Sequence, residues 1–156
     1  MESGRSVQLG QARLPVHDQP VQRGSLIIRT IWAACLLIAG ANHARILLQH
    51  GLFWDYHGVG WASATYWSSL TIFDPIAAAL LFARAKVGIV STAALIGTNV
   101  IHNLVITAHR VAEGEFVSRV AANPFLMSQI GFMLFVAATA RTAWRGAGKN
   151  WPSQSV

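Results

Sequence analysis

The chain contains four segments in which apolar residues continue for the length of a membrane-spanning helix. They cover residues 26–49, 61–83, 87–109 and 124–144. The hydrocarbon core of a bilayer is about 30 Å thick, so a helix that crosses it needs roughly 20 mostly apolar residues. The segments lack the strict alternation of apolar and polar residues that is typical of barrel strands. The pattern therefore predicts an all-α integral membrane protein, an up-down four-helix bundle.

Short connections between these segments favour antiparallel neighbours. Residues 84–86 form a tight turn between the second and third spans, whereas residues 50–60 and 110–123 form longer loops at the opposite end. Within the second loop, residues 111–120 are expected to lie on the membrane surface as a short amphipathic stretch. Because the helices alternate in direction, the first and third spans are expected to lie diagonally across the bundle.

The basic residues predict an orientation in the membrane. Nine of the twelve Lys and Arg residues lie on the side of the termini and of the 84–86 turn, and three lie towards the opposite side. The positive-inside rule places the Lys- and Arg-rich side in the cytoplasm. We therefore expect residues 1–24 and 146–156 to be polar cytoplasmic tails around a transmembrane unit of residues 25–145. The expected location is the cell membrane.

Composition agrees with this class of protein. Hydrophobic residues make up 53% of the chain and charged residues 12%, about half the charged fraction of an average soluble domain. The formal net charge of +6 does not indicate a nucleic-acid partner, because the basic residues flank apolar runs and form no patch with interleaved aromatics. The single cysteine, Cys35, excludes an intrachain disulfide bond.

Of the charged and histidine residues within the predicted spans, three lie farthest from the span ends, where a charge is energetically costly. Asp74 lies near the middle of the second span, and His43 and His102 lie at matching depths in the first and third. Pro75 follows Asp74 and leaves the carbonyl of Thr71 without its helical donor, which creates an acceptor-rich notch. We interpret Asp74, His43 and His102 as the candidate catalytic residues. We expect Asp74 to face the bundle interior within hydrogen-bond reach of a group on the first or third span, and the rings of His43 and His102 to converge on the bundle axis.

Further polar and aromatic residues accompany these three along the same spans and form the candidate ligand-binding set. They are Asn42, Asn99, Asn103, Trp67 and Thr71. Polar side chains in membrane bundles often hydrogen-bond to neighbouring helices and add roughly 0.6 kcal/mol each. The asparagines therefore also suit plain helix packing, and an Asp74–His ion pair that only holds the bundle together is the matching alternative.

The sequence contains no HExxH, Walker or GxSxG motif, and three functions remain open. The first is a pocket beneath the aromatic loop of residues 53–56 that binds a lipid-soluble small molecule or handles protons. The second is a cytochrome-like protein in which His43 and His102 are the metal ligands of one b-type haem. The third is a non-catalytic accessory subunit, either in a homo-oligomer or with a partner membrane subunit. The sequence does not decide whether the protein is an enzyme.

Overall fold

The computed structural model describes residues 19–52 and 54–148, and this part of the chain contains helices and no strand. The helices are α1 (Gln19–His50), α2 (Trp61–Ala83), α3 (Ala85–Arg110), α4 (Phe116–Ala121) and α5 (Pro124–Gly146). All except α4 are long and apolar enough to cross a membrane. The predicted all-α class with four spans is therefore confirmed.

Each predicted span lies within one observed helix. Helix α2 has the predicted bounds, and the other three long helices extend beyond theirs. Helix α1 begins at Gln19, so its first turns fall within the segment that we expected to be a polar tail. Ser25 explains this extension, because its buried hydroxyl donates a 2.7 Å hydrogen bond to the carbonyl of Ala143 on α5. The rest of the expected tails, residues 1–18 and 149–156, lie outside the described residues.

The four long helices form a bundle in chain order. Helix α1 packs against α2 and α5, and α3 packs against the same two helices. The predicted diagonal arrangement of the first and third spans is therefore confirmed. The α2–α3 turn, the start of α1 and the end of α5 lie at one end, which we call the terminal end. The loops of residues 51–60 and 111–123 lie at the other, the loop end.

Packing at the terminal end depends on glycine. A Cβ atom at Gly88 would overlap the backbone of Leu81, and one at Gly146 would overlap the side chain of Ser25. Helices α2 and α3, and likewise α1 and α5, therefore approach each other more closely here than any larger residue allows. Between them Trp32 is fully buried, and its indole N–H donates a 3.2 Å hydrogen bond to Thr139.

Arg29 is built into this end of the bundle. Its side chain is buried, and its Nη1 atom donates a 2.7 Å hydrogen bond to the carbonyl oxygen of Leu81. The last carbonyls of a helix have no helical donor and carry the negative end of the helix dipole. Arg29 of α1 therefore caps the end of α2, a role that its place among the basic residues flanking the first span did not predict.

The outer faces of the long helices are apolar. Large apolar side chains are exposed on α1, α3 and α5: Ile38 is 72% exposed and Leu48 88% on α1, Ile101 is 62% exposed on α3, and Leu134 is 60% exposed on α5. Water disfavours such an exterior, whereas hydrocarbon requires it. Together with the four long helices, this surface fits a small multi-pass membrane protein embedded in the bilayer. The cell membrane and the cytoplasmic termini stay predictions.

Candidate functional site

Asp74 is buried in the middle of α2, with 5% of its surface exposed. Helix α1 covers it at Gly40, where a Cβ atom would lie 3.4 Å from Asp74 Cβ and 3.2 Å from Pro75 Cδ. A larger residue at position 40 would crowd the proline ring. The absence of a side chain on Gly40 therefore allows α1 to close over the carboxylate, and Asp74 faces the bundle interior as the sequence predicted.

Asp74 has no hydrogen-bond or ionic partner in the part of the chain that the structure describes. The ion pair found there, Arg119 with Glu115 at 3.5 Å, lies at the start of α4. The expectation that Asp74 bonds to a group on the first or third span is therefore wrong, and so is the alternative of an Asp74–His ion pair. The physical reason is that Gly40, the residue of α1 that packs on Asp74, has no side chain to offer.

His43 follows Gly40 by one turn and shares its face of α1. Since α1 and α2 are antiparallel, this register places His43 opposite the turn of α2 that contains Thr71, one turn from Asp74. The Nδ1 atom of His43 and the hydroxyl of Thr71 are both buried, and neither has a hydrogen-bond partner. Two polar atoms without a partner thus lie about one helical turn from Asp74, towards the loop end.

His102 lies nearer the loop end, against two aromatic rings of α2. Its ring centroid is 4.7 Å from that of Tyr66 and 5.4 Å from that of Trp67, which it meets edge-on. His102 Nε2 is buried without a hydrogen-bond partner. The α2 residues beside His102 (Tyr66 and Trp67) and the α2 residue opposite His43 (Thr71) are about one turn apart. The two histidines therefore differ in depth by roughly 6 Å at helical rise. The predicted convergence of the two rings on the bundle axis stays a prediction.

Tyr66 belongs with this group, although the sequence did not single it out. Its hydroxyl is buried without a hydrogen-bond partner, and its ring contacts that of His102. The signal that was available is position, because Tyr66 stands two turns before Asp74 on the same helix. A tyrosine six residues into a span, however, is equally typical of an interfacial anchor, so its sequence position alone does not identify it.

Asn103 is the centre of a separate hydrogen-bonded network. Its amide donates to Asn99 Oδ1 at 3.2 Å and to Gln129 Oε1 at 2.7 Å, and its Oδ1 accepts from the indole N–H of Trp67 at 3.1 Å. These bonds join α2, α3 and α5. Trp67, Asn99 and Asn103 are thus used in helix packing, whereas Asn42 is half-buried and makes no side-chain hydrogen bond among the described residues.

The first loop covers the loop end with aromatic rings. Trp54 stacks on His50 with ring centroids 4.0 Å apart, and Tyr56 lies 4.5 Å from Trp54 and 5.1 Å from Trp67. Rings therefore continue without a break from the end of α1 to Trp67, which contacts His102. The expected aromatic roof is present at Trp54 and Tyr56, while Phe53 lies outside the described residues.

A hydrogen bond from α3 and the ring contacts hold this loop in a strained backbone conformation. Tyr56 and His57 have φ angles of 50° and 61°, in the left-handed region that most L-residues avoid. Arg110, at the end of α3, donates a 2.8 Å hydrogen bond from Nη2 to the carbonyl of His57. Such strain persists only where surrounding contacts enforce it. The loop is therefore a fixed cover, tied to α3 as well as to α1 and α2.

The geometry gives no particular support to a haem or metal centre. In residues 19–52 and 54–148, no three His, Cys, Asp or Glu side chains are grouped to hold a metal ion. A shared haem iron would need the imidazoles of His43 and His102 to face each other. The ring of His102 instead contacts the rings of Tyr66 and Trp67 of α2.

Comparison with protein-family profiles, with curated protein sequences and with solved structures gives no match to this chain. The fold and its interior fit a helical, multi-pass membrane protein in which a buried carboxyl group and a tyrosine of α2 lie in the bundle with one histidine of α1 and one of α3. Its function must be argued from these residues.

Proposed function

We propose that the protein binds a lipid-soluble molecule whose polar head is held by Asp74, His43 and His102. One observation carries this proposal: a buried carboxyl group lies in the middle of α2, and α2 and the helices packed on it contain buried polar atoms of His43, Tyr66, Thr71 and His102 that have no hydrogen-bond partner. Each such group costs about 1–3 kcal/mol when buried unpaired. A bound head group that supplies hydrogen bonds would offset this cost.

The chemistry of these groups suits an uncharged polar head. A neutral imidazole offers one donor and one acceptor, and a carboxyl group accepts or, when protonated, donates. Hydroxyl and carbonyl groups complement such a set. The network around Asn103 supports the proposal indirectly, because it fixes α2, α3 and α5 relative to one another and so holds Asp74 and Tyr66 of α2 and His102 of α3 at constant positions.

The molecules that copurify with the protein test this proposal. The protein is purified in mild detergent, extracted with organic solvent, and the extract is identified and quantified by mass spectrometry. We expect one molecule in stoichiometric amount with wild type, and about a tenfold loss with Asp74→Asn, His43→Ala or His102→Ala, as follows from losing one charged or buried hydrogen bond.

The matched controls are His109→Ala and His57→Ala. His109 is exposed on α3, two turns beyond His102, and His57 is exposed in the loop, so neither change should reduce the bound amount. If all three pocket variants retain the wild-type amount, the polar groups serve only packing and the accessory-subunit hypothesis is preferred.

A second candidate function is proton handling, which the isolation of Asp74 favours. A buried carboxyl group without an ionic partner, followed towards the loop end by Thr71, Tyr66 and His102, offers successive sites for a proton. Proteoliposomes containing a pH-sensitive dye test it. Asp74→Asn should abolish a proton flux that wild type supports, and equal flux with both proteins would reject this function.

A further inference from the structure

A groove of about 310 Å³ runs between α2 and α3 on the outer surface of the bundle. It is lined by Tyr66, Phe73, Ile76, Ala77, Leu80, Ser91, Ala94, Leu95 and Thr98. Phe73 and Ile76 are about half exposed, at 51% and 48%, so the groove opens on the surface that faces hydrocarbon. Its volume lies at the lower end of the range of roughly 300–1,000 Å³ that is usual for small-molecule sites.

The groove is long, narrow and largely apolar. From Tyr66 to Leu80 it follows α2 for about 21 Å at helical rise. Its walls are mostly Ala, Leu, Ile and Phe side chains, which match a hydrocarbon chain in shape and polarity. Because lipid is the solvent around the outer surface of a membrane bundle, the molecules that can reach such a groove are lipids.

At the loop end the groove meets the polar interior. Tyr66 lines it and contributes a buried, unpaired hydroxyl. Thr98 lines it from α3, and His102 lies one turn beyond Thr98 on the same face, with an unpaired Nε2. The groove thus ends at Tyr66, whose ring contacts that of His102, as a site for a chain with a polar head would.

The charge of the head can also be inferred. No acidic or basic side chain lines the groove. A charged head of either sign would therefore lie without a counter-ion in a medium of low dielectric constant, where an isolated charge is costly. The ligand that fits is uncharged.

We propose that this groove binds the hydrocarbon chain of a neutral lipid whose hydroxyl or carbonyl head accepts a hydrogen bond from Tyr66. The inference rests on the proposed function and names its ligand class: a neutral, single-headed lipid that enters sideways from the bilayer between α2 and α3. The head then lies beside His102, within reach of the polar groups that continue along α2 to Asp74.

Photolabelling tests the proposal on the full-length protein in nanodiscs. The probe is a long-chain primary alcohol with a diazirine near its methyl end, and the reference probe is the alkane with the same diazirine and no hydroxyl. Labelled positions are mapped by digestion and mass spectrometry. We expect the alcohol to label the peptides that contain Ala94 and Leu95 about fivefold more than the alkane, the preference that one hydrogen bond provides.

Three variants make the test specific. Tyr66→Phe removes only the hydroxyl and should reduce alcohol labelling to the level of the alkane. Ala94→Phe fills the groove and should abolish the preference. Ala93→Phe adds the same bulk at the next residue, which is exposed and does not line the groove, and should label like wild type. Ser91→Phe provides a second groove-filling variant if Ala94→Phe fails to fold, as judged by gel filtration.

The outcomes separate this inference from the proposed function. Equal labelling by both probes, unchanged by Tyr66→Phe, means bulk lipid only and overturns the groove site. Loss of the copurifying molecule in Asp74→Asn with normal retention in Ala94→Phe also overturns it, but leaves the pocket intact. If groove variants lose labelling while Asp74→Asn and His43→Ala change neither labelling nor bound molecule, the groove site holds and the pocket proposal fails.

Discussion

Among single residues, the polar side chains of the interior fall into two groups that the sequence did not separate. Asn103 is bonded to Asn99, Gln129 and Trp67, so both ends of its side-chain amide have partners within the protein. Asp74 and its neighbours along α2 have no such partners. Residue type cannot distinguish packing from binding here. What distinguishes them is whether a partner lies opposite, which depends on the register between helices.

This distinction predicts unequal effects of two asparagine substitutions. Asn103→Ala removes two hydrogen bonds between helices, to Trp67 and Gln129, and one within α3, to Asn99. At roughly 0.6 kcal/mol each, their loss should lower the free energy of unfolding by about 2 kcal/mol. Asn42→Ala is the matched control, since Asn42 is half-buried and makes no side-chain hydrogen bond in the described part of the chain. Unfolding in mixed micelles measures both, and equal losses would contradict the assigned network.

The burial of Asp74 could be predicted from its place in an apolar run, because an ionisable group rarely faces lipid. Its lack of a partner could not, since it depends on Gly40 of α1 being the residue opposite. The importance of Tyr66 was hidden for a similar reason. Its contact with His102 joins residues on two helices, and one sequence does not reveal which residues meet.

At the scale of the helices, the length of each apolar run predicted the helix bounds well where contact with lipid sets those bounds. Helix α2 has the predicted bounds of residues 61–83. The start of α1 was missed because residues 19–25 are polar, and their helical state comes from packing on α5, through Ser25 and Gly146. The 84–86 turn is tighter than predicted, since Arg84 alone separates α2 from α3.

Two glycines of α3 should respond in opposite ways to alanine. Gly88→Ala forces a methyl group against the backbone of Leu81, and we expect a loss of about 1–3 kcal/mol in stability because backbone cannot give way as a side chain can. Gly97→Ala meets no atom within 4 Å and should be neutral or stabilising by up to about 1 kcal/mol. Thermal unfolding in detergent compares them, and similar midpoints would refute the close approach at Gly88.

In the whole molecule, the two ends of the bundle differ in how they are held together. The terminal end is closed by glycine contacts, by Trp32 and by the Arg29 cap on α2. The loop end is held by the Asn103 network and by aromatic rings of the first loop. Because local stability follows such differences, we expect the loop end to open more readily, which suits the end nearer the proposed head-group site.

The orientation of the molecule is the prediction that belongs to this largest scale. Nine of the twelve Lys and Arg residues lie on the side of the terminal end, so the positive-inside rule predicts that both termini are cytoplasmic. Reporter fusions at residue 156 and within residues 111–123 test it. We expect cytoplasmic activity for the first and extracytoplasmic activity for the second. A reversed pattern would invert the topology and place the aromatic loop in the cytoplasm.

The single-residue connection at Arg84 has a consequence for how the protein is made. With Arg84 alone between them and with Gly88 set against Leu81, we expect α2 and α3 to insert into the bilayer as a paired hairpin. Helix α2 carries Asp74, and a carboxylate at the centre of a span adds about 2.5–3.5 kcal/mol to the cost of inserting it. If α3 enters together with α2, this unfavourable residue reaches the bilayer already partly covered by the neighbouring helix. Lengthening this turn would leave the native contacts in place yet expose the nascent α2 to insertion alone.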